Sequence, residues 1–77
     1  MTKLPVITYR DLQKVAEKAG FHWDSCKGSH NKFKDSKGRS VIIPDHGSNV
    51  IVRPLLRKIL KQLGITVEEY LRLLEKL

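Results

Sequence analysis

Apolar positions along the chain change period three times. Leu12, Val15, Ala16 and Ala19 fall at i, i+3, i+4 and i+7, which predicts one face of a helix. Thr8 is placed to cap it, Asp11 lies in its first turn, and Gly20 is placed to end it. Residues 21–44 lose this period. Phe21 and Trp23 alternate with His22 and Asp24, Phe33 stands among Asn31, Lys32 and Lys34, and Val41-Ile42-Ile43 is β-branched up to Pro44. Turn residues at Lys27-Gly28 and at Asp35-Ser36-Lys37-Gly38 separate these runs, so three short antiparallel strands are expected.

Residues 45–52 have no settled period. Pro54 suits the first turn of a second helix whose apolar stripe is Leu55, Leu56, Ile59, Leu60 and Leu63, and Gly64 ends it. Arg53, Arg57, Lys58 and Lys61 lie off that stripe. Thr66-Val67-Glu68-Glu69 fits a capping box, Ile65 can staple onto Tyr70, and Val67, Tyr70, Leu71 and Leu74 repeat a helical face. The expected class is α+β in the order α-β-β-β-α-α, with helices covering one face of a three-stranded antiparallel sheet.

Composition narrows the function. A chain of 77 residues is expected to form one domain over 1–77. No apolar run approaches the roughly 20 residues that span a bilayer. Met1-Thr2-Lys3-Leu4-Pro5 lacks the apolar stretch of a secretory signal, and the lone Cys26 suits a reducing compartment. A cytoplasmic protein is expected. Fifteen Lys and Arg against eight Asp and Glu give a formal charge of +7, which favours a polyanionic partner: RNA or DNA first, an acidic protein second.

Strand parity then suggests a site. If Phe33 packs under the helices, His30, Lys32 and Lys34 point to the opposite, open face. An imidazole among ammonium groups on an accessible surface can act as a base near physiological pH. Gly28 and Ser29 precede it, where the backbone can approach a ligand closely and offer N–H donors to phosphate. RNA carries its own nucleophile, the 2′-hydroxyl, so a histidine and a few cations suffice to cleave it without a metal. His46 can serve as a second proton-transfer group or a phosphate contact, and His22 is expected to be structural or merely exposed. His22, Cys26, His30 and His46 are metal-ligand types, yet they lack zinc spacing, and no metal or other cofactor is expected. Nothing marks Cys26 as activated. The basic residues of the second helix can be a solvated face, or they can join Lys32, Lys34, Lys37 and Arg39 along a sugar-phosphate backbone.

At Lys27-Gly28-Ser29-His30 the chain resembles the HicA family, the toxin half of a type II toxin–antitoxin pair. The Ala19-Gly20-Phe21 step after the first helix is similar to the family's "AGF" step, and Lys27 to His30 to its "KGSH" motif. Val41-Ile42-Ile43-Pro44 followed by His46 resembles its third strand, proline, one residue, histidine passage. Leu56 to Gly64 resembles its "LRSILKQAG" helix, and Glu68-Glu69-Tyr70 the start of its last helix. The sequence departs from the pattern at Asp45, often basic in the family, and at Arg53-Pro54, often Gly-Thr. The resemblance implies a double-stranded-RNA-binding-like fold and metal-independent cleavage of messenger RNA. It puts the essential histidine at His30 and implies a HicB-type antitoxin as partner. The RNA contacts expected are Lys27, Gly28, Ser29, Lys32, Lys34, His46 and Arg57. The alternative is a non-catalytic RNA-binding or protein-interaction module.

Overall fold

The computed structural model describes residues 4–77; the first three residues of the Met1–Pro5 stretch read above lie outside them. The element order is α1 (Tyr9–Lys18), β1 (His22–Lys27), β2 (His30–Lys34), β3 (Ser40–Pro44), α2 (Arg53–Leu63) and α3 (Val67–Glu75). The fold is therefore α+β, with an antiparallel sheet in the order β1-β2-β3, and it is compatible with a double-stranded-RNA-binding-like arrangement.

Leu12, Val15 and Ala16 form the buried stripe of α1. Its C-terminus closes as a Schellman motif. Gly20, with φ +94°, donates to the carbonyl of Glu17, and the Phe21 N–H donates to that of Ala16. The expected side-chain cap from Thr8 does not form. Thr8 instead pairs as an isolated antiparallel bridge with Val50, while the Ile51 N–H donates to Ile7 at 2.7 Å. The segment before α1 is thus held as a ribbon against the 45–52 connection.

α2 carries Pro54 in its first turn and Leu56, Ile59, Leu60 and Leu63 on its buried face, ending at left-handed Gly64. Leu55, expected in the same stripe, is only half-buried because it sits at the helix flank. The capping box of α3 is complete. The Glu69 N–H donates to the Thr66 hydroxyl at 3.1 Å, and the Thr66 N–H donates to the Glu69 carboxylate at 3.2 Å. Ile65 packs against the core cluster that contains Tyr70, as a hydrophobic staple requires. Arg53 donates from Nε to the carbonyl of Leu4 at 2.8 Å, so this family departure ties the start of α2 to the N-terminal segment.

The core joins Leu12, Val15 and Phe21 to Phe33, Val41, Ile43, the buried face of α2 and Tyr70. Helices contact β3, whereas every residue of β1 is exposed. Trp23 shows the consequence. It pairs with Phe33 and so shares the inner side of the sheet, yet it is 53% exposed. No helix among the described residues is long and apolar enough to cross a membrane.

Candidate nucleic-acid site on the outer face of the sheet

The first two strands meet in a two-residue loop, Gly28-Ser29, closed by the pair Lys27 and His30. Gly28 has φ +61°, which a glycine at the first position of such a hairpin adopts without strain. A Cβ placed there would meet nothing within 4 Å, so the space in front of the loop is open. From that end β2 alternates. His30 and Lys34 are exposed, Lys32 is half-buried, and Asn31 and Phe33 are buried beneath. The outward parity of His30, Lys32 and Lys34 follows from Phe33 being in the core.

Neighbouring strands add to this face. A bulge at Asp24 shifts the register of β1, so that Ser25 pairs with Lys32 and Lys27 with His30. Without the bulge, Lys27 would fall on the other side of the sheet. On the other flank His30 pairs with Pro44, Lys32 with Ile42 and Lys34 with Ser40. Pro44 is tolerated because β3 is an edge strand. Lys34 also contacts Asp24 across 3.6 Å, an ion pair in which both side chains remain substantially exposed.

The loop carrying Ser29 is fixed from below. Its carbonyl accepts the Asp45 N–H at 2.7 Å and the Asn31 side-chain amide at 3.4 Å. The Asn31 side-chain oxygen in turn accepts the Trp23 indole N–H at 2.9 Å. Asn31 is 8% exposed, and its amide is satisfied on both sides. The bond to Asp45 docks the 45–52 connection beside His30, which brings exposed His46, two residues beyond the His30 partner Pro44, to the same end of the sheet. Asp45 then folds the connection by accepting the Gly47 N–H at 2.9 Å.

On its α2 side His30 opens into a cleft of about 360 Å³. One wall is the outer face of β3 with Ser40, Ile42 and Pro44; the other is the flank of α2 with Leu55, Lys58, Ile59 and Gln62. Lys58 therefore belongs to the site, and it stands at helical spacing between Leu55 and Gln62. That i, i+3, i+7 flank is visible in the sequence, but only the packing of α2 beside β3 gives it meaning. Arg57, expected among the RNA contacts, is exposed and does not line the cleft.

Two other expected cations are occupied or distant. Arg39 donates from Nε to Asp35 at 2.6 Å and lies over the Phe21 ring, 5.5 Å from its centroid. Lys37 belongs to the turn that Asp35 organises, its N–H donating to that carboxylate at 3.1 Å. Desolvation acts to raise the pKa of Asp35, but the hydrogen bonds from Arg39 and Lys37 outweigh it and hold the carboxyl below its ordinary value. Cys26 is exposed and donates from Sγ to the Gly28 carbonyl at 3.0 Å. His22 is exposed at the far end of the same face, opposite Lys34. Among the described residues, no group of three or more His, Cys, Asp or Glu stands close enough to share a metal ion.

The end of the face at His30 thus joins an accessible imidazole to a glycine-led loop, three lysines and an adjacent cleft. The sequence profile of the family described as HicA toxin of bacterial toxin-antitoxin matches residues 9–65, which span α1, the whole sheet and α2. The chain is also similar to a protein of Pseudomonas fluorescens (strain Pf0-1) named probable mRNA interferase HicA. The two are 36% identical over 58 residues, which cover 74% of this chain and 93% of that protein.

Proposed function

Since the chain belongs to the HicA toxin family, we propose that it is a toxin endoribonuclease that binds messenger RNA and cleaves it without a metal, using His30 for proton transfer. The observation that carries this reading is the exposed His30 on the outer face of β2, in line with Lys32 and Lys34 and paired with Lys27. The relative named as an mRNA interferase supports the substrate.

In the proposed reaction His30 removes the proton of a ribose 2′-hydroxyl. The O2′–P bond forms as the P–O5′ bond breaks, leaving a 2′,3′-cyclic phosphate. The departing O5′ takes a proton from water or from His46, and the imidazole later returns its own proton to water. Lys27, Lys32 and Lys34 hold phosphate, and the Gly28-Ser29 backbone lets the strand come close. The partner is an antitoxin of the HicB type that covers this face and denies RNA access to His30.

Acid–base help from one group is worth about 10²–10⁴-fold in rate. His30→Ala is expected to lose RNA cleavage by that factor and to lose growth arrest on expression. Its circular dichroism should be unchanged, because the side chain is exposed. Cleavage by the unaltered chain should persist in chelator. Wild-type cleavage rates in His30→Ala would overturn the assignment of His30, and chelator sensitivity would overturn metal independence. Salt-sensitive binding without cleavage products would leave an RNA-binding module only.

A further inference from the structure

The cleft beside α2 extends past His30, and its remaining lining takes no part in the proton transfers. We propose that this cleft is a nucleobase subsite. The base of a nucleotide flanking the cleaved phosphate enters it, and Gln62, with Ser40, reads the edge of that base. The inference rests on the RNA-cleaving reading of the same face and adds to it a determinant of sequence preference.

The layout supports this occupant. A Cβ on Gly64 would lie 3.0 Å from Arg39 Nη1, so the C-terminal end of α2 adjoins the start of β3. Ser40 and Gln62 therefore mark one end of the cleft, while His30 and its strand partner Pro44 mark the other. Ser40 to Pro44 is four strand steps, about 13 Å at the usual rise, room for a base and its ribose. The walls between include apolar side chains: Ile42, 43% exposed although it lies in a strand, lines the cleft together with the flank residue Leu55. A base presents apolar faces and polar edges, and single-stranded RNA is read by splaying such bases into protein sites. Among the described residues neither the Ser40 hydroxyl nor the Gln62 amide makes a side-chain hydrogen bond within the chain, and Lys58 forms no ion pair. An amide supplies both donor and acceptor, the combination that a base edge requires. An apolar side chain from a protein partner would fill the walls but leave Gln62 and Ser40 without partners.

The test is the cleavage profile of the full chain on a randomised single-stranded RNA pool, compared with Gln62→Met and Ser40→Ala. Gln62 is exposed and Met is a good helix former, so the fold should hold. In Gln62→Met, the ratio between the most and least favoured base at one position beside the cut should fall about tenfold, the scale of one good base contact. The ratio is taken within a single reaction, so it does not depend on overall rate. A second arm uses His30→Ala and pentanucleotide RNA, following the Gln62 amide and Ile42 methyl resonances. These should shift with intact RNA and not with an abasic ribose-phosphate pentamer. An unchanged preference at every position in both variants overturns the subsite. So do cleft resonances that move only with the antitoxin. If the wild-type chain cuts no RNA, the endoribonuclease reading fails and the second arm alone decides the subsite.

Discussion

Tyr70 is among the largest side chains sealed in the core, and its hydroxyl still finds a partner, donating to the Pro5 carbonyl at 2.6 Å. Burial first, and then the negative charge of Asp11, push that hydroxyl up to about 12 from the ordinary value of 10.0. The folded chain holds this proton more tightly than the unfolded chain. The contribution is therefore intact below about pH 10 and is lost as pH rises from there toward about 12. Tyr70→Phe should cost about 1–2 kcal/mol at neutral pH, because the Pro5 carbonyl loses its donor. It should also show a smaller further loss at alkaline pH. Urea unfolding of both chains at pH 7.5 and pH 11 measures this, and equal alkaline losses would refute it. At this scale the sequence was partly legible. Its spacing places Tyr70 on a helical face, but its bond to Pro5 joins residues 65 positions apart, which no local pattern encodes. The Trp23–Asn31–Ser29 relay was equally hidden, because it needs the pairing of β1 with β2 before the Trp23 indole reaches the Asn31 amide that donates to the Ser29 carbonyl.

Among the elements, α2 has the most to do with the site, because its placement creates the cleft. Its end is set by Gly64 at φ +75°, a conformation that costs an L-residue roughly 1–2 kcal/mol. Gly64→Ala should lower stability by about that amount and disturb Arg39, whose guanidinium lies 3.0 Å from the added methyl. Arg39 in turn braces the β2–β3 turn through Asp35 and covers Phe21. Thermal unfolding followed at 222 nm would register the loss, and an unchanged midpoint would show that the bend carries no strain. The helices and strands themselves were legible from period and punctuation. Gly20 and Gly64 ended their helices as expected, and Thr66 with Glu69 closed the capping box. Thr8 has the same extended backbone as Thr66 yet makes no side-chain cap, a difference that sequence spacing does not resolve.

For the molecule as a whole, the charge of +7 is the property that RNA would sense first. In the proposed reading its useful part is the set of lysines on one face, not the total. Binding of single-stranded RNA to His30→Ala should weaken with added salt. Each lysine that contacts a phosphate should contribute roughly 0.7 to the slope of log K against log salt. Lys32→Gln should lower that slope by about this amount, whereas Arg57→Gln, on α2 and not on the outer face of the sheet, should leave it nearly unchanged. Fluorescence anisotropy at four salt concentrations reads the difference, and equal slopes for the two variants would contradict the placement of the site on the outer face.

By itself the sequence determined the elements, their order, the inward side of Phe33 and hence the outward side of His30, Lys32 and Lys34. These follow from periodicity and turn chemistry, which act over a few residues. It also carried the Gly28-Ser29-His30 motif, since a two-residue hairpin needs glycine where φ is positive. Long-range packing set the exposure of β1, the bulge at Asp24 that turns Lys27 onto the His30 face, and the choice of Lys58 and Gln62 rather than Arg57 at the border of the cleft. Those outcomes depend on which flank of a helix meets which edge of a sheet, and packing between distant segments sets that geometry.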